Sequence, residues 1–139
     1  TSGCAPWKVY RALAGLVDLF LYDVKLVDSA RHRKLTGASN RAVLANLERL
    51  AGLGAEIVVR VPCIPGLNDD PASISAAAEL VSRLGIKRID LLPYNESAGA
   101  KYAWLGRGYP LAGLKTQPSG QIEALAELCR AYGLSVQTG

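Results

Sequence analysis

Methionine is absent from the 139 residues, histidine and phenylalanine occur once each, and there are only three cysteines. Each scarcity excludes something. Cys4, Cys63 and Cys129 are odd in number and far apart, so they build no secreted disulfide framework and fit a reducing, cytoplasmic setting. None of them is spaced from another as metal ligands are, so no metal site is assigned to this chain. The lone His32, in Ala30-Arg31-His32-Arg33-Lys34, has no second imidazole to work with and is expected on the surface of a basic loop, outside any catalytic role. Long apolar runs are missing too: Val17–Tyr22 is far too short to cross a bilayer, and no signal-peptide pattern is present, so no membrane association is expected. The net charge of +4 is mild and dispersed, without the basic clusters or interleaved aromatics of a nucleic-acid binder. With no methionine anywhere and Thr1-Ser2-Gly3 at the start, the sequence reads as a piece of a longer protein.

What is present is an ordinary amount of core. Half of the residues are apolar, enough for one folding unit over 1–139. Three short runs rich in Val, Ile and Leu read as buried strands: Val17–Val24, Glu56–Val61 and Arg88–Leu92. Each leads to a helical pattern. Val43, Leu44, Leu47 and Leu50 share a face, with Ser39 or Asn40 as N-cap and Gly52 or Gly54 as terminator. Asp70-Pro71 opens a second helix striped by Ile74, Ala77, Ala78, Val81 and Leu84, which Gly85 stops. After a long loop from Pro93 to about Pro118, a third helix carries Ile122, Leu125, Ala126, Cys129 and Tyr132 on its apolar side and precedes a short strand near Leu134–Gln137. Alternating strands and helices imply right-handed crossovers, a parallel sheet and the α/β class.

In such folds the chemistry sits where strands end, so the exits are the informative places. Asp23 and Lys25 are alternate residues of Tyr22-Asp23-Val24-Lys25 and point to one side of an extended segment. Opposite charges there pair with one another or hold a zwitterionic ligand. Arg60 ends the second strand, where a guanidinium can grip a carboxylate with two hydrogen bonds. Pro62, Pro65 and Gly66 shape the following loop, Asn68, Asp69 and Asp70 are read as turn and cap residues, and Cys63 is the one cysteine near the ligand end. The third exit, Leu91-Leu92-Pro93-Tyr94-Asn95, brings a phenol and an amide to the rim, for a planar ligand or for the loop itself. Cys129 reads as core packing, and Tyr102, Trp104 and Tyr109 as loop aromatics that either anchor a partner or cover the end of the fold.

Taken in order, Thr1-Ser2-Gly3 with a Pro-Trp helix start, Asp23-Val24-Lys25, Leu35-Thr36-Gly37-Ala38-Ser39-Asn40, Arg60-Val61-Pro62 with Ile64-Pro65-Gly66-Leu67-Asn68-Asp69, Leu91-Leu92-Pro93-Tyr94, and Lys101-Tyr102 with Leu105-Gly106 and Tyr109 resemble the C-terminal half of glycyl-radical-enzyme activating enzymes, the pyruvate formate-lyase activating type. The resemblance implies the C-terminal half of a partial (β/α)6 TIM-like barrel. It also implies a parent radical S-adenosylmethionine oxidoreductase, in which a reduced 4Fe-4S cluster cleaves the cofactor and the 5′-deoxyadenosyl radical takes a hydrogen from a backbone glycine of a partner glycyl radical enzyme. A reductant such as flavodoxin or ferredoxin is a further implied partner. On this resemblance Asp23 and Lys25 match positions near the methionyl and ribose parts of S-adenosylmethionine, and Arg60 matches an arginine at the same cofactor. Thr1 belongs to an Asp-Thr-(Asn/Ser)-Gly turn, and Asn95 stands where many members have a histidine beside the adenine.

The cluster of that family is held by a Cys-x3-Cys-x2-Cys loop, because three thiolates bind three irons and leave the fourth iron open. No such loop occurs in this sequence, so no catalytic or metal residue is expected in it and the piece alone is expected to be inactive. Two other readings are weighed beside this one. A non-catalytic α/β partner-binding module would use the scaffold alone. An aldolase-type fragment is poorer, since Asp23 beside Lys25 would raise the lysine pKa where a Schiff base needs it lowered.

Overall fold

The computed structural model describes the backbone of residues 1–139 and all side chains except those at 98, 100, 101 and 103; the Lys101 side chain, part of one motif above, therefore lies outside the described residues. Four strands, β1 (Phe20–Asp23), β2 (Ile57–Pro62), β3 (Arg88–Leu92) and β4 (Ser135–Thr138), form one sheet in the order β1-β2-β3-β4. Every neighbouring pair is parallel. This is the expected α/β architecture, and consecutive strands lying side by side are consistent with a section of a partial TIM-like barrel. The first strand is shorter than its apolar run, because the Val17 amide is spent on Leu13 O in the turn that closes the preceding helix.

Helices α1 (Trp7–Leu13), α3 (Arg41–Gly52), α4 (Pro71–Arg83) and α6 (Ser119–Ala131) supply the apolar stripes that cover the sheet. Tyr22, Leu47, Leu50, Ile74, Ile89 and Leu91 are wholly buried between them. Asp70 caps α4 as its sequence predicts, accepting from Ser73 N at 2.9 Å with Pro71 in the first turn, and Gly85 leaves the helix at φ 74°, a conformation that costs a residue without Cβ little. Gly3 is fixed more tightly. Its φ is also 74°, and a Cβ there would lie 2.1 Å from the Tyr22 hydroxyl oxygen.

Four local expectations are corrected. The basic stretch around His32 is a helix, α2 (Ser29–Thr36), capped by Asp28 and ended by Gly37; His32 is buried, its Nδ1 lying 2.9 Å from Ala38 O and 3.1 Å from Thr36 Oγ1. Asn40 occupies the N-cap position of α3 but makes no cap bond, whereas Ser39, the other candidate, accepts from Arg41 N through Oγ at 3.2 Å. Asn40 Nδ2 turns back to donate to Leu26 O and Val27 O at 3.0 and 2.8 Å, while Ser29 Oγ donates to Asn40 Oδ1. Tyr132 is half-exposed rather than core, because α6 ends at Ala131 and rotates it off the stripe. The long loop also holds structure: a 3-10 turn at Glu96–Ala98 and α5 (Gly99–Trp104).

Candidate functional site

Alternation along each strand sends one set of side chains under the helices and the other to the opposite face. Tyr22 belongs to the first set, its hydroxyl donating to Val43 O of α3 at 2.6 Å. Asp23 therefore faces the other way. The strand register then aligns Asp23 with Arg60, Arg60 with Asp90, and Asp90 with Gln137. A single polar row crosses all four strands on the face that these helices leave open.

Within the row the charges alternate and pair. Arg60 donates through Nε to Asp23 Oδ1 at 2.8 Å, and its Nη2 lies 2.7 Å from the same oxygen as an ion-pair contact. Both side chains are about two-thirds buried, with 30% and 27% of their surface exposed, so the pair is held in a low dielectric yet reachable. Arg88, one layer below, forks onto Asp90 at 2.9 and 3.1 Å and also reaches Gln137. Asp90, Arg88 and Gln137 were not singled out from the sequence. The signal was there: Arg88-Ile89-Asp90 alternates charge and apolar residue as Tyr22-Asp23-Val24-Lys25 does.

The expected site residues do not all converge. Asp23 and Arg60 are in direct contact, whereas an Asp23–Lys25 pair, one of the two readings of these residues, is not formed: Lys25 is exposed and has no ionic partner among the described residues. Thr1 lies beside this pair through backbone bonds, its amine donating to Leu21 O at 2.6 Å and its carbonyl accepting from Asp23 N at 2.8 Å. Its hydroxyl is 3.0 Å from the Tyr10 hydroxyl. Asn95 stands exposed at the third exit, and its Oδ1 is occupied by Ser97 N and Oγ at 3.0 and 2.6 Å. That leaves its amide NH2 as the group aimed at anything arriving from solvent.

The exits are braced by buried amides. Asn68 Nδ2 donates to Lys25 O and Pro62 O, both at 2.8 Å, joining the first two strand ends. Gln117 joins the second and third, donating to Cys63 O at 3.0 Å and accepting from Tyr94 N at 3.0 Å. Asp69 accepts from Gly66 N, Gln117 and Gln121, the turn role its position suggested. The Tyr94 hydroxyl donates to Leu111 O at 3.2 Å and lies 3.0 Å from the Tyr109 hydroxyl, which can donate to it, so it serves the loop. Two cavities open along this rim and share Pro62, Ile64 and Tyr109. One, about 380 Å³, contains Lys25; the other, about 390 Å³, contains Asn95.

Asp70 has a second partner besides its cap. Burial alone would raise its carboxyl, but hydrogen bonds from Arg31 and Ser73 outweigh it and hold the pKa at about 2, below the ordinary 3.8. A carboxylate with a lowered native pKa contributes stability that is complete above the unfolded value and is lost as pH falls through the native one. Melting curves followed by circular dichroism should therefore show the wild-type Tm falling more steeply than that of Asp70→Asn between about pH 4 and about pH 2; parallel curves would refute the linkage.

The cysteines make poor ligands here. Burial, aided by Asp69, pushes the Cys63 thiol up to about 12, and burial pushes Cys129 up to about 11, so neither supplies thiolate at neutral pH. Cys4 alone is exposed. Iodoacetamide at pH 8 should label one thiol in the native chain and three after unfolding, by mass spectrometry. Among the described residues no three metal-binding side chains gather, and no helix is long and apolar enough to cross a membrane.

No protein-family model matches the sequence. Individual proteins do. The benzylsuccinate synthase activating enzyme of Thauera aromatica is 38% identical over 144 aligned residues, covering 99% of this chain and 44% of that protein. The choline trimethylamine-lyase activating enzyme of Oleidesulfovibrio alaskensis is 37% identical, covering 98% and 45%. The chain is a homologue of the glycyl-radical-enzyme activating enzymes. It spans less than half the length of these curated relatives. A domain of a pyruvate-formate lyase-activating enzyme from Bacteroides vulgatus superposes with a TM-score of 0.78 at 24% identity, covering 97% of this chain and 75% of that one. At that identity the superposition speaks for the fold, an activating-enzyme α/β domain.

Proposed function

We propose that this chain is one side of the cofactor cradle of a radical S-adenosylmethionine activase, the part that flanks the cofactor and meets the partner enzyme, with the cluster ligands supplied by polypeptide outside it. The observation that supports this reading most is the Asp23–Arg60 pair on the open face at the strand exits. It leaves Asp23 Oδ2 and Arg60 Nη1 without a partner among the described residues, and Lys25 stands two residues beyond. An acceptor, a guanidinium donor and an ammonium at one rim match the amino, carboxylate and hydroxyl groups of a zwitterionic nucleoside cofactor. S-adenosylmethionine, when bound to a reduced 4Fe-4S cluster, supplies radical chemistry that no side chain can perform. The cysteines present do not fit that cluster, since two are buried thiols and the third is alone.

In this reading Arg60 and Lys25 hold the cofactor's anionic and hydroxyl groups, and Asp23 takes an ammonium or hydroxyl hydrogen with its free oxygen. Thr1 stiffens the Asp23 backbone from the side. Asn95 offers its amide NH2 to a purine ring nitrogen. Asn68 and Gln117 keep the three exits at fixed separation, which is what precise orientation of a reactive group requires. The partner is a glycyl radical enzyme, acted on at a backbone glycine.

The test joins an upstream segment bearing a Cys-x3-Cys-x2-Cys loop to this chain and reconstitutes the cluster without oxygen. Dithionite should then drive reductive cleavage of S-adenosylmethionine to 5′-deoxyadenosine, read by chromatography. A fully assembled cluster that yields none would overturn the proposal, and the present chain without that segment is expected to yield none.

A further inference from the structure

We propose that the cavity of about 380 Å³ between α2 and the loop carrying Tyr102 and Tyr109 is a specificity pocket for an apolar side chain of a protein partner, borne on a segment with carboxylates beside it. The identity of that partner as the activated enzyme rests on the activase reading above; the pocket does not.

The walls argue for the side chain. Leu35, Ile64, Leu67 and the two tyrosine rings form an apolar lining, with Lys25 at one side. Tyr102 and Tyr109 lie 4.8 Å apart between ring centroids, tilted by 43°, so the pair forms one rigid aromatic wall. Its floor is fixed from below, where Tyr94 hydrogen-bonds Tyr109. The space is at the small end of ligand pockets, room for a leucine- or phenylalanine-sized group together with part of the segment that carries it.

The surroundings argue for a protein. On the loop of the tyrosines, Trp104 is 83% and Leu105 70% exposed. Large apolar groups left in water next to a pocket are a feature of protein contact surfaces, where aromatics supply most of the affinity. A lone nucleoside would leave them uncovered.

Charge argues for an acidic segment. Arg33 and Lys34 of α2 and Arg107 of the tyrosine loop are exposed, and none has an ionic partner among the described residues. The carboxylates of the same loops are all engaged: Asp28 caps α2, Asp69 holds Gly66 and two glutamines, Asp70 binds Arg31, and Glu96 binds Lys115. Arg31 and Lys115 neutralise Asp70 and Glu96; Asp28 and Asp69, bonded to neutral donors, keep their charge, but the unpaired cations outnumber them and the rim presents net positive charge to an incoming chain.

The experiment titrates the isotopically labelled 139-residue chain with a capped heptapeptide, Glu-Glu-Ser-Leu-Ser-Glu-Glu, and follows amide shifts by NMR. Shifts at Leu35, Leu67 and Tyr109, with a Kd near 1 mM, about −4 kcal/mol, are expected for one buried side chain with charge assistance. Alanine in place of the central leucine should weaken binding at least fivefold, as should lysines in place of the glutamates. Leu35→Glu, at an exposed helical position that tolerates the change, should abolish it, and Tyr109→Phe, which keeps the ring, should not. Equal binding of the lysine peptide, shifts elsewhere, or no shift at several millimolar would overturn the proposal. So would displacement of the peptide by S-adenosylhomocysteine, which would make the pocket the cofactor's. None of these readings depends on a cluster, so the pocket and the activase reading fail separately.

Discussion

Replacing Asn40 with leucine should lower the unfolding free energy by about 3 kcal/mol, although the two side chains are close in volume. Asn40 is fully buried and ties three groups, the carbonyls of Leu26 and Val27 and the hydroxyl of Ser29. Leucine fills the space but leaves the Leu26 carbonyl dry and unpaired, and each orphaned buried group costs about 1 to 3 kcal/mol. Asn46→Leu is the companion case: its Nδ2 donates to Gly3 O and Ala5 O, both at 2.9 Å. It should cost somewhat less, because one of the two acceptors is only partly buried. Urea unfolding checks both. The midpoint should fall with the slope unchanged, and a midpoint that stays put would show these amides to be passengers.

Arg60→Ala should have the largest effect on activity. In the cluster-loaded protein completed with an upstream segment, reductive cleavage of S-adenosylmethionine should fall at least about a hundredfold, the scale of losing one aimed donor in a partly dry site. Two losses combine in this variant. In the proposed cradle the cofactor loses its guanidinium contact, and Asp23, two-thirds buried, loses the one cation bonded to it among the described residues, so its carboxylate charge turns unfavourable. Arg60→Lys separates them: a single ammonium still neutralises Asp23 but cannot reproduce the planar guanidinium that bonds Oδ1 and keeps Nη1 free, and a loss of about tenfold is expected. Equal rates for the alanine variant and the wild type, with the fold intact by circular dichroism, would remove Arg60 from the cofactor site.

What could be read from the sequence was what local chemistry decides. Asp70-Pro71 and Gly85 bound α4 because a cap, a first-turn proline and a left-handed glycine act within one turn of chain. The apolar runs gave the strands, and parallel order followed from the helices between them. His32 escaped because the residues flanking it are charged and conceal a helical period whose one buried residue is an imidazole. Asn40 sits where an N-cap belongs, and only the return of the Leu26–Val27 segment to within 3.0 Å shows its real partners. The Asp23–Arg60 contact joins residues 37 apart and depends on strand register, which no local pattern sets. The alternation of Arg88-Ile89-Asp90 was a local sign of one strand face, but its alignment with Arg60 and Gln137 depends on register in the same way.

Thr1 accepts from Asp23 and donates to Leu21 as a parallel strand residue would, which makes α1 the crossover helix from Thr1 to β1. Every helix that covers the sheet thus travels with the strand it covers. For anyone building chimaeras, this marks the peptide just before Thr1 as a recombination point. Swapping everything downstream for the matching part of a relative exchanges whole strand-and-helix units and leaves no helix over a foreign strand within the exchanged part. At the β1 edge the exchanged part keeps its own Thr1–Leu21 and Thr1–Asp23 backbone bonds, which are indifferent to side chains.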